Sequence, residues 1–123
     1  MASILLIEDD EQISNAYTTV LMRKGYEVVS CNAAVVGLEM IRQRAFDLVI
    51  LDMLMPGLSG LDFLRQANLK QTMPHAKVLV VSNTESPKII EQAKALGAFE
   101  YILKVEYTPE KLTKKIAELL TAK

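Results

Sequence analysis

The chain holds a single cysteine, Cys31, among its 123 residues, so no internal disulfide can staple it. That usage points to a reducing compartment. No apolar stretch approaches the ~20 residues that a bilayer-spanning helix needs. The first apolar run, Ile4-Leu5-Leu6-Ile7, is closed at once by Glu8-Asp9-Asp10, which argues against a signal peptide. Excess charge is missing too. The 14 Lys and Arg nearly balance the 15 Asp and Glu, so no broad field is available to draw in nucleic acid or acidic lipid. Low-complexity segments, Ser/Gly-rich linkers and internal repeats are also absent. About half of the residues are apolar and 24% charged, enough for one core without staples. These features predict one cytosolic domain over residues 1–123, with no membrane association and no direct nucleic-acid binding.

What is present is a rhythm. Short runs rich in Val, Ile and Leu alternate with longer segments of helical period. The runs are Ile4–Ile7, Tyr26–Val29, Leu48–Leu51, Val78–Val81 and Phe99–Leu103. The first, third and fourth are apolar throughout, as strands buried on both faces are. The second and fifth carry polar residues and suit edges. The first helical pattern puts Ile13, Ala16, Tyr17, Val20 and Leu21 on one face, with Gly25 as its stop. The second is expected from Asn32, as cap, to about Arg44, with Leu38, Ile41 and Ala45 inward. The third starts near Ser59 and the fourth at Ser86-Pro87. The fifth opens with Thr108-Pro109-Glu110 and runs to Lys123. Five β-α units predict an α/β fold: a flavodoxin-like, doubly wound (βα)5 with a parallel five-stranded sheet in the order 2-1-3-4-5.

In such sheets, sites form beyond the carboxyl ends of the strands. Glu8, Asp9 and Asp10 follow the first run, Asp52 the third, Ser82-Asn83-Thr84 the fourth and Lys104 the fifth. Asp10 reads equally as a helix cap. Asp52 sits between apolar neighbours, where an unpaired charge is costly. Acids converging on one edge repel unless a cation joins them, and all-oxygen ligation suits Mg²⁺ better than zinc or copper. The sole histidine, His75, lies in a Met73-Pro74 turn with no ligand partner and reads as structural. Neither glycine-rich phosphate loop occurs, and no Ser-His-Asp arrangement is visible. A carboxylate nucleophile beside Mg²⁺, with Ser82 and Lys104 placed to hold an anion, is equipment for phosphoryl transfer onto an aspartate.

Ile4–Asp10, the Asp52-Met53-Leu54-Met55-Pro56-Gly57 stretch with Ser59-Gly60, Val81-Ser82 and Tyr101-Ile102-Leu103-Lys104 occur in that order. In this the chain resembles the receiver domain of two-component response regulators over its whole length. The resemblance implies that Asp52 is the phosphoacceptor and that Mg²⁺ is held by Glu8, Asp9, Asp52 and the backbone carbonyl of Leu54. It implies that Ser82 and Lys104 bind the phosphoryl oxygens and that Ser82 and Tyr101 form the switch. It further implies a histidine kinase or phosphotransfer protein as donor. The output surface would be the fourth helix, fifth strand and fifth helix, open to a partner or a second copy of the chain.

Three positions depart from the pattern: Asn83 stands where a small residue is usual, Val105 where proline is, and Leu54 where a polar side chain often is. Leu54, Asn83 and Thr84 are therefore expected to tune phosphate lifetime. The Lys104–Val105 bond is expected to be trans, since cis costs about 2.5–4 kcal/mol without proline. Two other readings stay open: a receiver-like binding module that no longer uses phosphate, and a small Mg²⁺-dependent phosphatase. The phosphatase would need a second acid where Leu54 stands. Lys111, Lys114 and Lys115 read as a solvated helix face. A stand-alone receiver is favoured over part of a larger protein.

Overall fold

The β-branched and leucine-rich runs all become strands in the computed structural model, which describes residues 1–121. They are β1 (Ser3–Ile7), β2 (Glu27–Cys31), β3 (Leu48–Leu51), β4 (Lys77–Ser82) and β5 (Glu100–Leu103). All pair in parallel, in the order β2-β1-β3-β4-β5. β3 is buried from end to end, and so are β1 and β4 after their first residues. Edge strand β2 has no buried residue and β5 has one, Ile102.

Alternation along the central strands divides the core in two. Leu5, Ile7, Val49, Leu51 and Val80 face one side, against Leu38, Phe63 and Ala93. Ile4, Leu6, Leu48, Ile50, Leu79 and Val81 face the other, against Tyr17, Leu21, Leu112 and Ile116. The helices that supply those partners are α1 (Glu11–Arg23), α2 (Ala34–Gln43), α3 (Gly60–Ala67), a short α4 (Leu69–Thr72), α5 (Pro87–Ala95) and α6 (Pro109–Thr121). Helices α1 and α6 cover the second face; α2, α3 and α5 cover the first. Asp10, Ser59, Ser86 and Thr108 each accept a backbone N–H of the first turn of α1, α3, α5 and α6, which satisfies donors the helix cannot.

Several local expectations fail for tertiary reasons. Asn32 does not cap α2. Strand β2 stays paired to β1 as far as Cys31, so the helix opens only after Ala33, which makes no side-chain cap bond. Ala45 is exposed because α2 ends at Gln43 and Arg44 turns extended, leaving Phe46 to fill the core. On α1, Ala16 is exposed and Ser14 is buried in its place. Asn68 adopts left-handed backbone (φ 47°), which ends α3 and starts the extra turn α4. The helices expected fourth and fifth are thus α5 and α6. The expected end of the last one at Lys123 lies outside the described residues. No described peptide bond is cis, so Lys104–Val105 is trans as expected.

Gly60 brings α3 close to the end of β3. A Cβ there would lie 2.8 Å from the Met53 Cα and 3.0 Å from the Asp52 carbonyl oxygen. Backbone cannot yield to such a contact, so only glycine lets the helix start beside Asp52.

Candidate functional site

The parallel sheet carries the ends of β1, β3 and β5 to one edge, and a charged cluster forms there. Glu8 follows β1. Its N–H donates to the Cys31 carbonyl at 3.1 Å, and its Oε2 accepts the Asp10 N–H at 3.1 Å. Asp52 follows β3. Its N–H donates to the Ile7 carbonyl at 3.1 Å, and its Oδ1 accepts the Leu54 N–H at 3.1 Å. Lys104 follows β5, and its Nζ donates to Glu8 Oε1 at 2.7 Å and to Asp52 Oδ2 at 3.1 Å. The side chains of Glu8 and Asp52 are only 4% and 7% exposed.

Asp9 is exposed and completes the cluster: one carboxylate oxygen each from Glu8, Asp9 and Asp52 lies within 4.8 Å of the others. Like charges at that distance repel by about 3 kcal/mol at an effective dielectric near 20. Three carboxylates against one ammonium leave the ionised cluster two negative charges in excess. Burial raises the Glu8 carboxyl above its usual range, against the pull of Lys104. Burial would lower the Lys104 ammonium, but the bond to Glu8 and the charge on Asp52 outweigh it and keep it above the usual amine value. The group is short of positive charge, and its donors are all oxygen. A hard divalent cation such as Mg²⁺ fits both facts. These residues, with Asp10, Ile13, Leu54 and Asn83, line a pocket of about 280 Å³.

Ser82 ends β4 and is fully buried. It does not line that pocket; its Oγ accepts a long bond (3.4 Å) from the Thr84 N–H. Tyr101 lies opposite Val80 in the sheet register, and Ser82 lies opposite Leu103. Ser82 and Tyr101 share a side-chain hydrogen bond and are also linked through Thr84, whose carbonyl accepts the Tyr101 hydroxyl at 2.9 Å. Burial raises the Tyr101 pKa.

Two residues named from the sequence, Asp10 as a cap and Asn83 beside the pocket, make further bonds here, and a third contributor, Tyr17, was not foreseen at the site. The Asp10 side chain caps α1, and its own N–H steadies Glu8. Buried Tyr17, read only as core, feels the charges of Lys104, Glu8 and Asp52. Asn83 Oδ1 accepts the Val105 N–H at 3.1 Å. For Tyr17 the only sequence signal is its helical period. Burial pushes the Cys31 thiol up to about 11, which keeps it protonated and unreactive at neutral pH. His75 is exposed, far from this edge in sequence and absent from the pocket lining. No described helix is long and apolar enough to cross a membrane.

The family model described as the response regulator receiver domain matches residues 4–117. The transcriptional regulatory protein AfsQ1 of Streptomyces coelicolor is 30% identical over 104 residues, covering 85% of this chain and 45% of that protein. The sensory transduction protein RegX3 of Mycobacterium tuberculosis is 28% identical over 120 residues, or 98% of this chain and 51% of that protein. The chain thus spans about half the length of these curated relatives. Among solved structures, a CheY-like receiver domain protein from Methanospirillum hungatei superposes with a TM-score of 0.90 at 30% identity, covering 98% of this chain and 94% of that one. TrrA of Thermotoga maritima, in complex with Mg²⁺-BeF, gives 0.82 at 27% identity over 97% and 99% of the two chains.

Proposed function

The chain belongs to the response regulator receiver domain family, and from that membership we propose that residues 1–123 form a single receiver domain working as a phosphorylation-dependent switch. Asp52 is the phosphoacceptor. The observation that carries this reading is a buried Asp52 carboxylate held 3.1 Å from the Lys104 ammonium and within 4.8 Å of two further acids. Glu8, Asp9, Asp52 and the Leu54 backbone carbonyl hold Mg²⁺, which when bound offsets the charge between the carboxylate and the anionic donor. An Asp52 oxygen attacks phosphorus. The bond from phosphorus to the donor's histidine nitrogen breaks, and the imidazole leaves with its electron pair. Lys104 and Ser82 then meet the charge on the phosphoryl oxygens. The domain catalyses its own transfer and slow dephosphorylation, and it is regulatory rather than metabolic. Its donor is a histidine kinase or phosphotransfer protein, and it works in the cytoplasm.

The phosphoryl group adds nearly two negative charges. Drawing the Ser82 hydroxyl toward it breaks the long bond to Thr84. Thr84 also holds the Tyr101 hydroxyl, so the loop and the ring move together. The face made by α5, β5 and α6 then changes shape for a partner, an output domain or a second copy of the chain. Amide exchange with and without Mg²⁺ and beryllofluoride tests this. Exchange should change on α5 and β5; an unchanged face with the mimic bound refutes the switch.

Leu54, Asn83 and Thr84 set the lifetime. Leu54 is 60% exposed at the pocket, and its side chain has no group to orient a hydrolytic water. Asn83 crowds the approach, and Thr84 offers only a short hydroxyl. Leu54→Asn should shorten the lifetime about tenfold, a barrier change of about 1.4 kcal/mol. Following phosphate loss by mass spectrometry decides it: an equal lifetime in the variant removes Leu54 from this role.

A further inference from the structure

We propose that Asn83 is a positioning residue that places the Lys104 ammonium by holding the N–H of Val105. Lys104 stands on a three-residue 3₁₀ turn, Lys104–Glu106, whose start has no side-chain cap of its own. So short a turn has little stability in isolation, and its first N–H groups have no partner within it. The Val105 N–H finds one across the sheet edge, in Asn83 Oδ1 at 3.1 Å. The turn closes on its own bond from the Tyr107 N–H to the Lys104 carbonyl at 3.2 Å, but Val105 itself is 79% exposed and has no packing of its own to hold its amide.

The consequence reaches the pocket through the backbone. Lys104 must extend from β5 past the end of β4 to Glu8 and Asp52, beyond β1 and β3. A four-carbon side chain reaches both carboxylates only if its own Cα is kept in place. Asn83 directly follows Ser82, the other phosphoryl-binding residue of the proposed function. One short amide therefore couples the two strand ends that would hold the phosphoryl oxygens. The inference rests on the role proposed for Lys104, but the bond itself is independent of phosphate.

Two measurements test it. The first needs no phosphate: amide exchange at Val105 in wild type, Asn83→Ala and Asn83→Asp. Alanine has no acceptor, whereas the aspartate carboxylate keeps one at the same reach. Exchange should speed up about tenfold in Asn83→Ala and stay near wild type in Asn83→Asp. Equal protection in the alanine variant overturns the proposal. The second is a cycle of phosphorylation rates, with phosphoramidate as donor and saturating Mg²⁺. Asn83→Ala should slow labelling about fivefold in the wild-type background and have no effect in a Lys104→Ala background. An equal slowing in both backgrounds overturns the positioning role alone, because Asn83 would then act without Lys104. A wild type that takes no label overturns the receiver reading and the positioning role with it.

Discussion

Asp52→Asn is expected to abolish phosphate uptake. Incubated with acetyl phosphate and Mg²⁺, the variant should label at least about a hundredfold more slowly than wild type, because a neutral amide oxygen is a poor nucleophile. The substitution is isosteric, so the fold should persist, and its effects at the site can be followed atom by atom. The side-chain oxygen still accepts the Leu54 N–H that now meets Oδ1. The new NH₂ faces the Lys104 ammonium in place of Oδ2, donor against donor. Lys104 keeps only Glu8. The acidic cluster loses one of its three carboxylates, so Mg²⁺ binding should weaken along with labelling. Mass spectrometry of the intact protein gives the labelling, and titration with Mg²⁺ gives the affinity. Labelling of the variant at the wild-type rate would place the phosphate on another residue.

Removing the single cation of the cluster should have the next largest effect. In Lys104→Met, Glu8 and Asp52 remain buried with no ammonium between them. Stripping one partner from a buried ion pair costs about 3–5 kcal/mol when the site is closed to water. This site opens at the sheet edge, where Lys104 itself is 14% exposed and Asp9 faces solvent. A loss of about 2 kcal/mol is therefore expected in metal-free buffer. Mg²⁺ should restore much of it, since a cation at a hundred times its Kd stabilises the folded state by about 2.7 kcal/mol. Urea unfolding with and without Mg²⁺ provides the comparison. Labelling should fall about a hundredfold even with Mg²⁺ present, since the ammonium meets charge that develops in transfer. A Met variant as stable as wild type without metal would show that the charge excess on Glu8, Asp9 and Asp52 is already relieved by solvent.

The misread positions share a cause. Asn32 has the side chain of a helix cap, but β2 remains paired through Cys31 and carries the chain past it before α2 begins. Ala45 fits the helical period, but α2 stops two residues earlier and Phe46 takes the buried place. Asn68 can adopt left-handed backbone, yet its neighbours give no sign of the short helix α4 that follows it. Each outcome depended on contacts made outside the local window. The Ser82–Tyr101 pair was named from the resemblance, and its geometry too was set by contacts at a distance. Adjacent strands were legible, but the register that sets Tyr101 opposite Val80 was not.

The sequence by itself determined which segments are strands and which helices. Burial on two faces demands unbroken apolar runs, and burial on one helical face demands a 3.6-residue period. The polar second and fifth runs suited the edges and so favoured the order 2-1-3-4-5 among the few that right-handed crossovers leave, and the sequence put Glu8, Asp9, Asp52, Ser82 and Lys104 at the ends of strands. Only the tertiary structure decided how those side chains meet. Lys104 and Glu8 are 96 residues apart in the chain and 2.7 Å apart in space. Asn83 reaches Val105 across 22 residues, and Gly60 admits α3 to the end of β3. Periodicity and composition are summed over many residues and survive local error. A hydrogen bond depends on tenths of an ångström, which the packing of the whole sheet and its helices sets.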